Sequence, residues 1–214
     1  HLCHLSTRMG IALVRKAKAT GVPITCEVTP HHLLLAHSEM RWLGSMGMVN
    51  PPLRTREDID ILWQGVLDGT VDALASDHAP HEKSEKEAES ASDVPPGFPG
   101  LETLASTMLT QVNQGRMSLS RFVQLGSTNP SRILGLKLRG FLKEGYHADL
   151  IIVDLKKEGR IDPSRFESKA KYSPFEGYKT KGEVAATLVG GRVVMENGEI
   201  VSGEPSGRIL MRGH

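Results

Sequence analysis

The sequence has few cysteines, no long apolar run and almost no net charge, the features that would indicate a disulfide-rich, membrane-spanning or nucleic-acid-binding protein. Two cysteines among 214 residues are too few for a disulfide framework, which favours a reducing cytoplasm as the compartment. No apolar run approaches the roughly 20 residues that a membrane-crossing helix needs. A formal net charge of +1 gives no basic surface for nucleic acid or anionic membranes. With 39% hydrophobic and 24% charged residues, the chain is predicted to be a soluble globular protein whose partners are neither membranes nor nucleic acids.

The chain also has neither an initiating methionine nor a signal peptide at its start. His1 is followed at once by residues that resemble the end of a strand. We therefore expect the chain to be a fragment of a longer protein.

Strand-like and helix-like stretches alternate in the first eighty residues. The start "HLCHL" resembles a strand end, "MGIALVRKAKATG" has the apolar spacing of a helix, and "VPITCEV" is typical of a buried strand. Thr55 and Asp58 have the spacing of a capping box at the start of a second helix. The segment "VDALAS" predicts a third strand, which ends at Asp77. This alternation predicts parallel βα units, fewer than the eight of a complete barrel.

The ionisable residues of these units come where strands end. His4 follows the first strand and Asp77 ends the third. A (β/α)8 barrel builds its active site at the carboxyl ends of its strands, and imidazole and carboxylate are both zinc ligands. The sequence therefore suggests a metal site at His4 and Asp77, where the carboxylate would also take a proton from bound water. In the alternative interpretation His4 caps a helix and Asp77 starts a turn.

The rest of the chain divides into parts that differ in composition and in predicted secondary structure. Residues 82–97 are acidic and rich in small residues, which suggests a loop that serves as a lid, and the charge run of residues 82–93 is expected to be a solvated loop. Helix-like stretches follow, and from about residue 138 short strands alternate with turn residues, including Asn197-Gly198 at a hairpin position. We therefore expect a barrel-derived domain over residues 1–137 and an all-β module over residues 138–214.

Three further residues are candidates for binding a substrate. Asn50 in "VNPPLR" offers an amide for hydrogen bonding, or it braces the turn before two prolines. His81 would hold an anionic group or act as an acid, or it is a solvated loop histidine. Gly97 in "PPGFPGLE" permits close backbone approach to a ligand, although glycines also serve turns. His31 and His32 are expected to be structural, one packing and the other capping.

Taken together, five segments resemble the dihydroorotases, which are amidohydrolase-superfamily enzymes of pyrimidine biosynthesis. They are "CHLST", "CEVTPHHLLL", "NPPLR", "SDHAPH" and "GFPGLE", in the order and approximate spacing of that family. The later "HADLIIVD" and "GGRVVMENGEIV" resemble its C-terminal β module. The resemblance implies an α/β fold: the C-terminal part of a (β/α)8 TIM barrel, with strands six to eight, followed by a small β-sandwich module that is incomplete without N-terminal strands.

The resemblance also implies an activity, the reversible hydrolysis of (S)-dihydroorotate to N-carbamoyl-L-aspartate by a cytoplasmic enzyme with two Zn2+ ions. His4 would ligate one zinc, and Asp77 would ligate the other and act as the catalytic proton shuttle. Asn50, His81 and the backbone around Gly97 would bind the substrate. A homo-oligomer is expected, with a carbamoyltransferase as a further partner.

Several metal-ligand motifs of the family have no counterpart in this chain. The His-x-His pair of the first barrel strand, the bridging residue of a middle strand and the histidine of the fifth strand have no counterpart, so activity of this chain alone is not expected. Two other interpretations stay open: a hydantoinase- or allantoinase-type cyclic amidase, and a non-catalytic dihydroorotase-like assembly partner. The presence of His4, Asp77 and His81 favours an enzyme.

Overall fold

Two compact units are formed from alternating parts of the sequence. A computed structural model describes residues 1–88, 90, 92–201, 203 and 207–210. One unit contains His1–Leu104 and Arg160–Tyr178, and the other contains Ala105–Gly159 and Lys179–His214. Residues 160–178 thus pack with the first unit. The domain boundary between residues 137 and 138 stays a prediction.

The long helices of the first unit begin at capping residues, and the sequence analysis predicts the cap of the second one. Helix α1 (Arg8–Ala19) follows Thr7, whose side chain accepts a hydrogen bond from the first turn. Helix α4 (Arg56–Asp68) begins with a capping box between Thr55 and Asp58. These side chains satisfy amides that have no partner within a helix. Both helices bury an apolar face, with Ile11 and Val14 on α1 and Ile59, Leu62, Trp63 and Val66 on α4.

Three short parallel segments lie side by side in this unit. Leu2 forms a parallel bridge with Cys26, and β1 (Glu27–Val28) pairs in parallel with β2 (Ala73–Leu74). The predicted βα alternation is confirmed, although the strands are shorter than the apolar runs suggest. The fold is therefore mixed α/β, as predicted.

Short helices and turns connect these segments. They are α2 (Pro30–Leu34), α3 (Met40–Leu43), α5 (Lys83–Lys86), and 3-10 turns at His37–Glu39, Gly44–Gly47 and Pro163–Arg165. Val49, Phe98 and Tyr172, from three different connecting segments, pack together in one apolar cluster. The loops around residues 49 and 98 are thus held against one another by burial.

The second unit contains short helices and a four-stranded sheet. Helix α6 (Leu101–Asn113) leads into it and is followed by α7 (Leu119–Val123), a π-turn (Gln124–Thr128) and α8 (Asn129–Ile133). The strands are β3 (Leu150–Arg160), β4 (Lys179–Val189), β5 (Arg192–Glu196) and β6 (Glu199–Ile200), and they lie in that order.

The predicted hairpin at Asn197-Gly198 is confirmed. Glu196 pairs with Glu199 across an antiparallel two-residue connection, and φ is 52° at Asn197 and 83° at Gly198. Positive φ at both central residues is the requirement of the type I′ turn that these residue types favour. Residues 202, 204–206 and 211–214 of the predicted module, and residues 89 and 91 of the predicted lid loop, lie outside the described residues.

Within the described part of the chain, none of the helices combines the length and the apolar character that a membrane span requires.

Candidate active site

His4 and Asp77 occupy equivalent places at the ends of parallel segments. His4 follows the bridge at Leu2, and Asp77 follows β2. Both segments neighbour the one that ends at Val28, so their carboxyl ends lie at the same edge. Both residues have positive φ, 36° at His4 and 47° at Asp77. Residues other than glycine rarely adopt this conformation, and such strain concentrates at functional sites.

Backbone hydrogen bonds fix the two strand ends. Leu5 N donates to Glu27 O at 2.9 Å, directly after His4. Ala75 N donates to Val28 O at 3.0 Å, shortly before Asp77. The side chains of His4 and Asp77 therefore leave the backbone at points that the parallel pairing holds.

His32, on helix α2, braces the segment that follows Asn50. Its Nε2 donates to Pro51 O at 2.9 Å, and its Nδ1 accepts from the hydroxyl of Thr29 at 2.8 Å. Burial lowers the pKa of His32 from 6.5 to about 4, although the bond to the Pro51 carbonyl opposes this shift. The ring is therefore neutral at pH 7. The sequence led us to expect that one of the two histidines caps the helix, but the cap of α2 is Thr29, whose hydroxyl oxygen accepts the backbone N–H of His32.

His31, the neighbouring residue, packs instead of making polar contacts. Its ring lies edge-on to Phe98, with centroids 4.9 Å apart. Among the described residues, Nε2 of His31 has no hydrogen-bond partner. Burial lowers the pKa of His31 well below 6.5, and the charges of His32 and His4 lower it further.

Asn50 is exposed, between the buried Val49 and the half-buried Pro51. Val49 belongs to the apolar cluster, and the following bond to Pro51 is cis. The preceding Met48 carbonyl accepts the backbone N–H of Gly97 at 2.9 Å. The loop of Asn50 and the loop of Gly97 are thus directly bonded to each other.

Gly97 and His81, both predicted to bind substrate, lie together. The φ of Gly97 is 127°, a conformation that side chains rarely adopt. A Cβ atom at this position would lie 2.7 Å from the Ala79 carbonyl oxygen and 3.5 Å from His81 Nε2. Nε2 of His81 also lies 3.3 Å from the Pro96 carbonyl oxygen, to which it donates when protonated. Glycine is required here because the loop passes so close to the segment after Asp77.

His78 has a role that sequence reasoning did not assign. Its Nδ1 accepts the backbone N–H groups of Gly100 and Leu101, both at 3.2 Å, where helix α6 begins. A Cβ atom on Gly100 would lie 2.4 Å from the Ser76 carbonyl oxygen. The "GFPGLE" segment therefore lies directly on the strand end that bears Asp77. His78 is adjacent to Asp77 in the sequence, but its bonds to the start of α6 depend on residues that are distant in sequence.

Lys86 corrects the expectation that residues 82–93 form a solvated loop. Its neighbours Lys83 and Glu87 are exposed, but Lys86 itself has no exposed surface. Its ammonium bonds the carbonyl oxygens of Met48, Pro95 and Gly97. The physical reason for its burial is that all three N–H donors find acceptors. No local pattern distinguishes Lys86 from Lys83, the other lysine of "EKSEKE".

Tyr172 is a second residue without a sequence signal. It comes from the 160–178 segment of the same unit and donates its hydroxyl to Gly97 O at 3.4 Å. Burial raises the pKa of Tyr172 from 10 to about 12, so the hydroxyl keeps its proton at neutral pH. Gly97 thus receives both the Lys86 ammonium and the Tyr172 hydroxyl at one carbonyl oxygen.

A separate group of possible ligands lies on the first two parallel segments. Ligand atoms of His1, Cys3 and Glu27 all lie within 4.8 Å of one another. His1 already bonds Glu27 Oε2 at 3.0 Å and Thr25 Oγ1 at 2.8 Å through its two ring nitrogens. Within the described residues this is the one group of three His, Cys, Asp or Glu residues at such distances, and it includes neither His4 nor Asp77.

Comparison with known proteins gives a family and named relatives. The sequence pattern of the amidohydrolase family matches residues 1–194. A dihydroorotase of Bacillus cytotoxicus is 43% identical over 197 residues, which are 92% of this chain and 46% of that protein. A dihydroorotase of Methanothermobacter thermautotrophicus is 42% identical over 214 residues, which are 100% of this chain and 48% of that protein. The chain thus spans about half the length of the curated relatives it matches.

Solved structures of related enzymes have a similar fold. An L-hydantoinase (dihydropyrimidinase) from Arthrobacter aurescens matches with a TM-score of 0.90 at 36% identity, covering 94% of this chain and 45% of that one. A D-hydantoinase (dihydropyrimidinase) from Thermus sp. matches with a TM-score of 0.91 at 28% identity, covering 98% and 47%.

Proposed function

Because the chain belongs to the amidohydrolase family, we propose that it forms part of a dihydroorotase, which reversibly hydrolyses (S)-dihydroorotate to N-carbamoyl-L-aspartate in pyrimidine biosynthesis. Two dihydroorotases at 43% and 42% identity support this choice of substrate. The observation that carries the proposal is the close approach of Gly97 to Ala79 and His81, which brings two of the proposed substrate-binding residues next to the segment that follows Asp77.

A divalent metal, zinc by the chemistry of its donors, belongs to this proposal. His4 offers an imidazole and Asp77 a carboxylate, and catalytic zinc sites are built from these ligand types. Both side chains leave left-handed backbone at one edge of the parallel segments, which fits a shared site. Such sites use about three protein ligands for each metal, so a binuclear centre needs further ligands from the rest of the protein. A bound metal would lower the pKa of water and polarise the amide carbonyl.

Asp77 is the proposed proton carrier of the reaction. Its carboxylate accepts a proton from the attacking water and delivers it to the ring nitrogen as the carbon–nitrogen bond breaks. The same carboxylate serves ring closure, in which the nitrogen loses a proton and water departs. The hydrogen-bonded strand end before Asp77 supports this role, because it fixes the backbone from which the Asp77 side chain extends.

The substrate is held by groups on the two bonded loops. Asn50 supplies an amide and His81 an imidazole for the polar groups of dihydroorotate, including its carboxylate. The backbone around Gly97 lies over the ring, since no side chain intervenes there. The bond from Gly97 N to Met48 O supports a joint role of these loops.

The larger setting of the chain is proposed on the same basis. The parallel segments are strands six to eight of a (β/α)8 barrel, residues 1–137 form the barrel part, and residues 138–214 contribute to a β-sandwich module. The complete protein is a cytoplasmic homo-oligomer with a carbamoyltransferase as a possible partner. The matches to about half of each relative support the view that further barrel strands belong to the complete protein.

A hydantoinase-type cyclic amidase is the second candidate, because the two solved structures are hydantoinases with TM-scores of 0.90 and 0.91. Turnover of dihydroorotate, hydantoin and allantoin by the complete protein discriminates the candidates. We expect dihydroorotate to have the highest kcat/KM. Preference for hydantoin or allantoin would overturn the proposal, and absence of turnover with all three would favour an assembly role.

A further inference from the structure

Lys86 is a buried cation in an exposed setting. Among the residues that the structure describes, it is one of the largest fully buried side chains, and it ends the four-residue helix α5, whose other residues are exposed. Burial of a lysine costs free energy unless its donors are satisfied. An isolated structural lysine on a charged loop would instead place its ammonium in water. The position of Lys86 therefore requires a specific reason.

The reason lies in three backbone carbonyls. Nζ of Lys86 lies 3.0 Å from Met48 O, 2.8 Å from Pro95 O and 2.9 Å from Gly97 O. An ammonium group has three N–H donors, so each of them has a carbonyl acceptor. Burial lowers the pKa of Lys86 from 10.5 to about 8, which leaves the group mostly charged at pH 7. Charge-assisted bonds of this kind are stronger than those between neutral groups.

The three acceptors come from the two loops that carry proposed substrate-binding residues. Met48 lies two positions before Asn50, and Pro95 lies two positions before Gly97. Gly97 N also donates to Met48 O, so this one carbonyl oxygen accepts from both Lys86 and Gly97. Residues around Lys86 therefore form a closed set of hydrogen bonds between the loops.

We propose that Lys86 is a positioning residue for substrate binding, whose ammonium fixes the backbone of Gly97 relative to that of Asn50. The proposal rests on the proposed function, since it assigns these two residues to dihydroorotate. Lys86 itself does not touch the substrate. It holds the loops in their bound arrangement before the substrate arrives, so that little of the binding free energy is lost in ordering them.

Removal of the ammonium should weaken substrate binding more than chemistry. In Lys86→Met the side chain stays unbranched but loses its ammonium, so that all three carbonyl oxygens lose a charged donor. Pro95 O is left without the Lys86 bond, whereas Met48 O keeps Gly97 N and Gly97 O keeps the Tyr172 hydroxyl. The loops then open to solvate these carbonyls. Asp77 and His4 lie on the strand ends and keep their places, because parallel pairing holds them.

The test compares three variants of the complete, metal-loaded protein with dihydroorotate as substrate. Lys86→Met removes all three donors, Lys86→Gln keeps two, and Lys83→Met is the matched control on an exposed lysine of the same helix. We expect KM to rise about tenfold in Lys86→Met, to a lesser extent in Lys86→Gln, and not at all in Lys83→Met, while kcat changes less than about threefold. A KM within about twofold of wild type in Lys86→Met would overturn the proposal, whether or not kcat falls in that variant.

Hydrogen exchange at the Gly97 amide gives a second readout that does not depend on activity. This amide should exchange faster in Lys86→Met than in Lys83→Met, while amides of helix α4 keep wild-type rates. Equal exchange at Gly97 in the two variants would contradict the positioning role. If Lys86→Met unfolds and α4 also loses protection, the Lys86→Gln variant decides on the same two criteria. If wild type does not turn over dihydroorotate, the proposed function fails, and the exchange experiment alone decides whether Lys86 fixes the loops.

Discussion

His32 donates a hydrogen bond from Nε2 to the carbonyl oxygen of Pro51 at 2.9 Å, and this bond joins helix α2 to the loop of Asn50. The donor atom must carry the proton because a carbonyl only accepts. Nδ1 is then free to accept from the Thr29 hydroxyl at 2.8 Å. The arrangement needs the neutral ring, since a second proton on Nδ1 would turn the acceptor into a donor.

Acid should therefore destabilise the protein through His32. The pKa of this residue is about 4 in the folded protein and 6.5 without the fold, so the unfolded chain binds the proton more tightly between these values. The stability that neutral His32 contributes is present above pH 6.5 and is lost as the pH falls toward 4. The full difference corresponds to about 3 kcal/mol.

Urea unfolding of wild type and His32→Gln across this pH range measures the effect. Glutamine keeps a donor for Pro51 O but does not titrate, so the loss of unfolding free energy between pH 7 and pH 4 should be smaller in the variant. The comparison removes contributions from other groups, such as His31, that both proteins share. Identical pH profiles would show that His32 is not responsible.

Asp77 allows a substitution that separates chemistry from folding. Its φ of 47° lies in the left-handed region, where asparagine is tolerated better than most residues. Asp77→Asn therefore keeps the backbone but loses the proton acceptor and one charged metal ligand. We expect kcat of the complete protein to fall about 10³-fold or more, with an unchanged melting temperature in the metal-free form.

Asp60→Asn is the control for this prediction, because Asp60 is exposed on helix α4. It removes the same charge at a distance from the strand ends and should leave kcat unaltered. Turnover near the wild-type rate in Asp77→Asn would exclude the carboxylate as the proton carrier.

Local chemistry explains which features were predictable from the sequence. The hairpin at Asn197-Gly198 follows from two residues that accept positive φ, and the cap of α4 follows from Thr55 and Asp58. His4 and Asp77 could be placed at strand ends because an apolar, strand-like stretch stops at each of these ionisable residues. Each of these signals lies within a few residues of the feature that it predicts.

Features that depend on distant parts of the chain were not predictable. Lys86 is indistinguishable from its neighbours until the loops of Met48 and Gly97 surround it. His78 caps a helix only because the chain returns to it at residue 100. Tyr172 reaches Gly97 from a segment that the sequence assigns to the later module. The missing information in all three cases is the tertiary path and not the residue type.

Gly97 has a backbone conformation and a close approach that alanine cannot reproduce. Its φ is 127°, and an added Cβ would lie 2.7 Å from both the Cβ and the carbonyl oxygen of Ala79. The carbonyl is backbone and has no rotamer to move, so the loop itself must shift in Gly97→Ala. Strain of this kind costs about 1–3 kcal/mol, and the shift carries the neighbouring His81 contact with it. We therefore expect KM for dihydroorotate to rise about tenfold or more together with a lower melting temperature.

Gly126→Ala is the matched control, because no heavy atom lies within 4 Å of its added Cβ and its φ is not in the strained range. It should leave KM and melting temperature close to wild type, since the added methyl group meets open space. Wild-type KM in Gly97→Ala would show that the loop accommodates a side chain, and the close approach to Ala79 would then have no role in binding.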